Sequence, residues 1–183
     1  RAARASLPWV MIWDNHDLEQ READFGGGVQ AFREWNAITP PVSVDAPEIA
    51  YRRVRFGSLL DLLITDVLLF REESLVPGSD EASILGATQY AWLTSQISAS
   101  DSAWRVIGSQ KIVAPIEGSL ALLGGSTWDA FEASRAQLFG FLADGGHDDN
   151  LFISGDAHIT LASDLPDPRP GATPYSATTG AGS

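Results

Sequence analysis

Two short apolar runs in this chain stop abruptly at the same kind of polar cluster. Pro8-Trp9-Val10-Met11-Ile12-Trp13 runs into Asp14-Asn15-His16-Asp17, and Leu151-Phe152-Ile153-Ser154 runs into Gly155-Asp156-Ala157-His158. A continuous apolar stretch of this length reads as a strand buried on both faces, although one this short is also compatible with a helix. A strand buried on both faces needs a layer on each side. With the strands, helices and loops that alternate along the rest of the chain and no internal repeat, the expected architecture is a layered α/β or α+β domain. In such folds ligands gather beyond the carboxyl ends of the strands, where loops hold side chains on a rigid scaffold.

The remaining elements fit that architecture. Val29 to Trp35 places Val29, Phe32 and Trp35 at helical spacing after a loop of three glycines, Gly26 to Gly28, and Pro40-Pro41 ends it. Ile49 to Phe56 and Leu59 to Val67 read as two strands joined by a hairpin at Gly57-Ser58. Arg52, Arg53 and Arg55 alternate along the first of them in the manner of a solvated face. Thr88 to Ile97 sets Trp92, Leu93 and Ile97 on one helical face, and Trp104 to Gly108 is a further strand. Asp129 with Glu132 fits a capping box opening a helix that buries Leu138, Phe139 and Leu142. Pro174 to Thr179 is strand-like. Trp9, Trp13, Trp92, Trp104 and Trp128 flank strands or sit on apolar helix faces and are expected to pack as core.

With 183 residues, 44% of them hydrophobic and 20% charged, the chain is long enough for one domain with a core of its own. The net charge of −12 would repel a nucleic-acid backbone, so DNA and RNA are disfavoured as partners. The most apolar stretch, Leu59 to Phe70, is broken by Asp61 and Asp66 and is too short for a transmembrane helix. Absence of cysteine removes thiolate catalysis and cysteine-ligated zinc, leaving oxygen and imidazole donors for any chemistry. Both ends read as cuts: the chain opens on Arg1 close to an apolar run and stops at Gly-Ala-Gly-Ser after a strand.

Carboxylate, carboxamide and imidazole together are the ligand set of hard to borderline cations. Two such cations about 3.5 to 4 Å apart can clamp both oxygens of a phosphoryl displacement. Each cluster alone has an ordinary reading, since Asp and Asn cap turns and helices and Gly-Asp is common in loops. Their recurrence at two strand ends favours a shared site. Of the three histidines, His16 and His158 lie in the clusters, whereas His147 lies in a Gly/Asp-rich loop and reads as solvated. No G-x-S-x-G elbow occurs, which argues against a serine hydrolase.

At the level of ordered motifs the chain resembles the PhoD-like alkaline phosphatases. Trp13-Asp14-Asn15-His16-Asp17 is similar to that family's W-D-D-H-E, and its Asn15-His16 pair to the N-H of the G-N-H-D/E motif of the wider metallophosphoesterases. In order along the chain, Arg55-Phe56-Gly57 resembles R-F-G, and Leu85-Gly86, Gln89 and Trp92-Leu93 resemble L-G-x-x-Q-x-x-W-L. Trp104 to Gln110 resembles W-K-V-I-x-x-Q, Trp128-Asp129 with Arg135 resembles W-D-x-Y-x-x-x-R, and Gly155 to His158 resembles G-D-x-H.

The resemblance implies a four-layer α/β/β/α sandwich, of which residues 1–183 are part of a single metallophosphatase domain. It implies hydrolysis of phosphate monoesters or diesters by a metal-bound hydroxide, with calcium and iron as the family's ions and manganese, zinc or magnesium as alternatives. It makes Asn15, Asp156 and His158 metal ligands, Asp14 a ligand or its anchor, and His16 the charge-stabilising or proton-donating residue; Gln110 and Arg71 border the site. The implied partner is a small phosphate ester, and the implied location secreted or periplasmic. Three departures stand out: a G-D-x-I-Y-E segment with the bridging aspartate is not in these residues, Leu68 takes the first arginine position of D-T-R-x-x-R, and Phe131 replaces the aromatic hydroxyl. The competing expectation is a non-catalytic fragment or module that binds calcium structurally through the Asp14 to Asp17 loop.

Overall fold

The computed structural model describes residues 6–18, 25–36, 49–72, 82–115, 127–165 and 175–179, with the backbone alone for Phe25 and the last of these segments. The chain divides into two units, 1–50 and 51–183. In the first unit the expected strand at Pro8 to Trp13 does not form: residues 8–13 join no ladder, and Trp9 is 48% exposed. Apolar patterning reports a preference for burial, but a strand exists only through hydrogen bonds to a neighbour, and here only Trp13 at the end of the run is buried. The helix α1 (Phe25–Trp35) begins earlier than expected, ahead of the three glycines, and takes them into its first turn. Three glycines weaken a helix, but a Cβ on Gly28 would lie 2.7 Å from the Cα of Leu18, so this packing admits no side chain there. The inward residues of α1 are Val29 and Phe32; Trp35, expected on the same face, is exposed.

In the second unit, Gly57 turns left-handed with φ +60°, and β1 (Arg52–Phe56) folds back on β2 (Leu60–Ile64) with Phe56 opposite Leu60. Helix α2 (Gly86–Ser98) then leads to β3 (Trp104–Ser109), and α3 (Glu132–Asp144) leads to β4 (Asn150–Ser154). Strands β2, β3 and β4 are parallel neighbours. The chain ends the sheet with β5 (Leu161–Leu165) and β6 (Tyr175–Thr179), and β6 inserts between β4 and β5 to give the order β1-β2-β3-β4-β6-β5. The architecture is mixed α/β, one six-stranded sheet and three α-helices among the described residues.

Two successive crossovers that step the same way across a sheet put both helices on one face when both are right-handed, the near-universal hand. The core agrees: Leu63, Ile107 and Phe152 from three adjacent strands cluster with Leu93 and Ile97 of α2 and Leu138 and Leu142 of α3. Phe139 meets Phe152 edge-on at 5.8 Å. The opposite face, with Leu62, Val106, Leu151 and Ile153, is half-exposed to exposed. Strand β4 is therefore buried on one face, where the sequence run predicted two. Trp128 is buried as expected and Trp92 partly so, whereas Trp104 is exposed.

Two further expectations change. Thr127, and not Asp129, caps the segment before α3: its hydroxyl accepts from the Asp129 N–H at 3.3 Å, a 3-10 turn (Trp128–Phe131) intervenes, and Asp129 pairs with Arg135 at 2.5 Å. The arginine strand is solvated only at its far end, where Arg55 is exposed. Arg52 is buried, and Arg53 donates Nε and Nη2 to the two oxygens of Asp61 at 2.9 and 2.5 Å. Burial drives the Asp61 carboxyl upward, but the bonds from Arg53 and from Ser100 outweigh it and hold the pKa down to about 2. A buried carboxylate requires such a partner, so tertiary burial of Asp61 decides where Arg53 goes.

Gly86 opens α2 with φ +66°, and a Cβ there would lie 2.5 Å from the carbonyl oxygen of Phe70. Gly86→Ala is expected to destabilise the fold by about 2–4 kcal/mol, the sum of left-handed strain and a backbone collision. A urea melt of the variant checks this, and an unchanged midpoint would show that the 66–70 turn gives way freely.

Candidate functional site

At the carboxyl edge of the parallel strands, family-like motif residues build one buried hydrogen-bond network around the turn after β2. The Asp66 side chain accepts from the N–H groups of Leu68 and Leu69 at 3.0 and 3.1 Å, closing that turn. Gln89 of α2 accepts from the Asp66 N–H at 2.7 Å and donates to its carbonyl at 2.8 Å. Gln110, just past β3, accepts from the Val67 N–H at 2.9 Å and donates to the Asp66 carboxylate at 3.2 Å. Both ends of the Gln110 amide are thus engaged in holding the turn. Arg71 follows it, half-buried, and Glu72 is tied by a two-way bridge to Ser83. The glutamines were legible as motif letters, but their task was not, because it joins positions 23 to 44 residues apart.

The loop after β4 is conformationally unusual. Asp156 and His158 adopt left-handed backbone with φ +72° and +54°, and they are the only non-glycine residues with positive φ among those described. Asp and His tolerate this region better than most residues, and strain of this kind concentrates at functional sites. Ala157 between them donates its N–H to the Gly155 carbonyl at 2.9 Å, a tight bend that presents the two side chains in quick succession. Asp156 is half-buried and His158 exposed.

Sequence reasoning missed the residue that meets Asp156. The ammonium of Lys111 lies 2.7 Å from Asp156 Oδ1, with the lysine side chain 3% exposed and the aspartate side chain 22% exposed. Register explains the meeting: Ser109 pairs with Ser154 across β3 and β4, and Lys111 and Asp156 each lie two residues farther on. The Ser109 hydroxyl donates to the Lys111 carbonyl at 2.9 Å and accepts from the Trp128 indole at 3.2 Å, which anchors the lysine's backbone. One available signal was compositional, since Lys111 is the sole lysine of the chain.

In the first unit Asp14, Asn15, His16 and Asp17 form a closed turn. The Asp14 N–H donates to the Asp17 carboxylate at 2.9 Å, the Asp17 N–H donates to the Asp14 carbonyl at 3.0 Å, and the Asn15 N–H donates to the Asp14 carboxylate at 2.8 Å. Asp14 and Asn15 are half-buried, and His16 at the tip is exposed. Trp13, edge-on to Phe32 at 5.7 Å, and Leu18 against Gly28 moor the two ends of the turn to α1. His147 is not the solvated residue expected: it is half-buried beside Phe141 at 5.4 Å, and burial, followed by the charge of Arg105, lowers its pKa.

The donor types fit a divalent or trivalent cation, with a carboxylate and an imidazole in the 155–158 loop and a carboxylate and a carboxamide in the 14–17 turn. Among the described residues no three His, Asp or Glu side chains gather at one point. A cation held at either cluster therefore needs further ligands from outside that cluster.

The family model for PhoD-like phosphatase covers residues 1–181. Alkaline phosphatase D of Bacillus subtilis (strain 168) is 26% identical over 194 residues, a span taking in 90% of this chain and 33% of that protein. A solved structure described as "Structure of PhoD" superposes with a TM-score of 0.81 at 21% identity, covering 98% of this chain and 41% of that one. The chain spans about a third of the length of the curated relative. With its fold and nearly its whole length matched, the chain belongs to the PhoD-like phosphatase family.

Proposed function

We propose that this chain supplies part of a metal-dependent phosphoric ester hydrolase acting on small phosphate monoesters or diesters. The observation that carries the reading is the 155–158 loop: two left-handed residues, both metal-ligand types, at the carboxyl end of a parallel strand in a PhoD-like chain. Asp156 and His158 would be the metal ligands of that loop, and Asn15, with Asp14 as ligand or anchor, would be those of the 14–17 turn. A bound cation supplies an acidified water and neutralises charge on the phosphoryl oxygens. His16, exposed at its turn tip, stabilises that charge or gives a proton to the departing oxygen. Arg71 binds a phosphoryl oxygen, and Gln110 keeps the turn that carries it in place.

Calcium and iron are the proposed ions, by family resemblance, with manganese, zinc and magnesium as alternatives for the same donors. Residues 1–183 are read as part of one metallophosphatase domain, whose four-layer sandwich adds a second sheet on the face of Leu62, Val106, Leu151 and Ile153. The proposed setting is secreted or periplasmic; among the described residues no helix is long and apolar enough to cross a membrane. The charge of −12 keeps nucleic acid outside the proposed substrates.

The test uses the whole protein with p-nitrophenyl phosphate and its bis-ester. Hydrolysis should disappear on treatment with a chelator and return on adding back a single defined cation. Hydrolysis indifferent to the chelator, or none of either ester with metal restored, would overturn the proposal.

A further inference from the structure

The chain has eleven arginines and one lysine, and that lysine is buried against the carboxylate of a proposed metal ligand. Burying an ammonium is unfavourable unless a counter-charge and hydrogen bonds meet it, so Lys111 is held at this place by what surrounds it. The strand register, the Ser109 hydroxyl and the Trp128 indole all fix its backbone, while its side chain reaches Asp156 Oδ1 at 2.7 Å. Lysine differs from arginine in kind: a compact point charge on a flexible stem can leave one carboxylate oxygen without dismantling a two-pronged contact. An ammonium and a divalent cation on the same carboxylate repel each other strongly at such separations.

We propose that Lys111 is the resident counter-cation of Asp156 and that a divalent metal binding this loop displaces its ammonium. Lys111 is then a positioning residue. It holds the carboxylate in its left-handed loop when no metal is there, and it sets how tightly the loop takes one. The inference rests on the reading of Asp156 as a metal ligand.

The test measures Mn2+ binding to the whole protein by equilibrium dialysis, with no substrate present. Lys111→Met should bind Mn2+ at least about tenfold more tightly than the unaltered protein. Lys111→Arg, which keeps the charge and can grip both carboxylate oxygens, should bind Mn2+ no more tightly than the unaltered protein. Equal or weaker binding in Lys111→Met overturns the proposal. Should that variant fail to fold, acetic anhydride labelling of the unaltered protein, read at Lys111 by peptide mass, replaces it: saturating Mn2+ should speed labelling several-fold, and an unchanged rate overturns the proposal. Asp156→Asn separates the two readings. If it weakens Mn2+ binding while Lys111→Met changes nothing, only the displacement fails; if it changes nothing, the assignment of Asp156 falls with it.

Discussion

In the whole protein, His158→Ala should lose bound metal and activity together, whereas His16→Ala should keep its metal and lose turnover by about 10²–10³-fold. The division follows from where the two imidazoles stand. His158 sits exposed, two residues from Asp156, in a loop bent by two left-handed residues. A ligand imidazole supplies affinity directly, so its removal should appear in metal content. His16 lies at the tip of a turn whose hydrogen bonds run through Asp14, Asn15 and Asp17, so its loss leaves the turn closed. Removing a group that stabilises charge only in the transition state lowers turnover and leaves ground-state binding of metal intact. Metal analysis beside initial rates checks both variants, and equal metal loss in the two would show that the roles are wrongly divided.

The 183 residues expressed by themselves should bind metal weakly and hydrolyse p-nitrophenyl phosphate or its bis-ester at least about 100-fold more slowly than the whole protein. Two divalent cations about 4 Å apart repel by about 16 kcal/mol at an effective dielectric of 20, four times the product of unit charges, and an anion bridging them is what offsets it. The described residues bring no three His, Asp or Glu side chains together. The resemblance to the family implies a bridging aspartate in a G-D-x-I-Y-E segment, a motif that does not occur in these residues; the chain spans about a third of its curated relative. Adding the segment that carries it should restore both metal and rate. Full activity of the 183 residues alone would mean that the site is complete within them and that its ligands are misassigned.

Features set by neighbouring residues were legible in the sequence. Gly57-Ser58 announced the hairpin, since an alternating strand, a glycine able to turn left-handed and a second apolar run are neighbours in sequence. The windows of α2 and α3 and the strand at Trp104 followed from period and composition, with ends shifted by a few residues. The motif order from Trp13 to His158 identified the family, because motifs are sequence by definition.

Other features depended on partners distant in the chain. Pro8 to Trp13 looks like a strand but has no ladder; Leu161 to Leu165 has no comparable apolar run, yet forms β5 by pairing with β6. Gly28 and Gly86 read as loop and motif letters until Leu18 and Phe70 came within a Cβ's reach of them. Gln89 and Gln110 became clamps, and Arg53 an ion pair, only when Asp66 and Asp61 were buried beside them. The chain's single lysine acquired its meaning in the same way. Composition and spacing carry the local preferences of a residue, whereas the partner of a buried charge is chosen by strand register, which set Lys111 and Asp156 side by side from 45 residues apart.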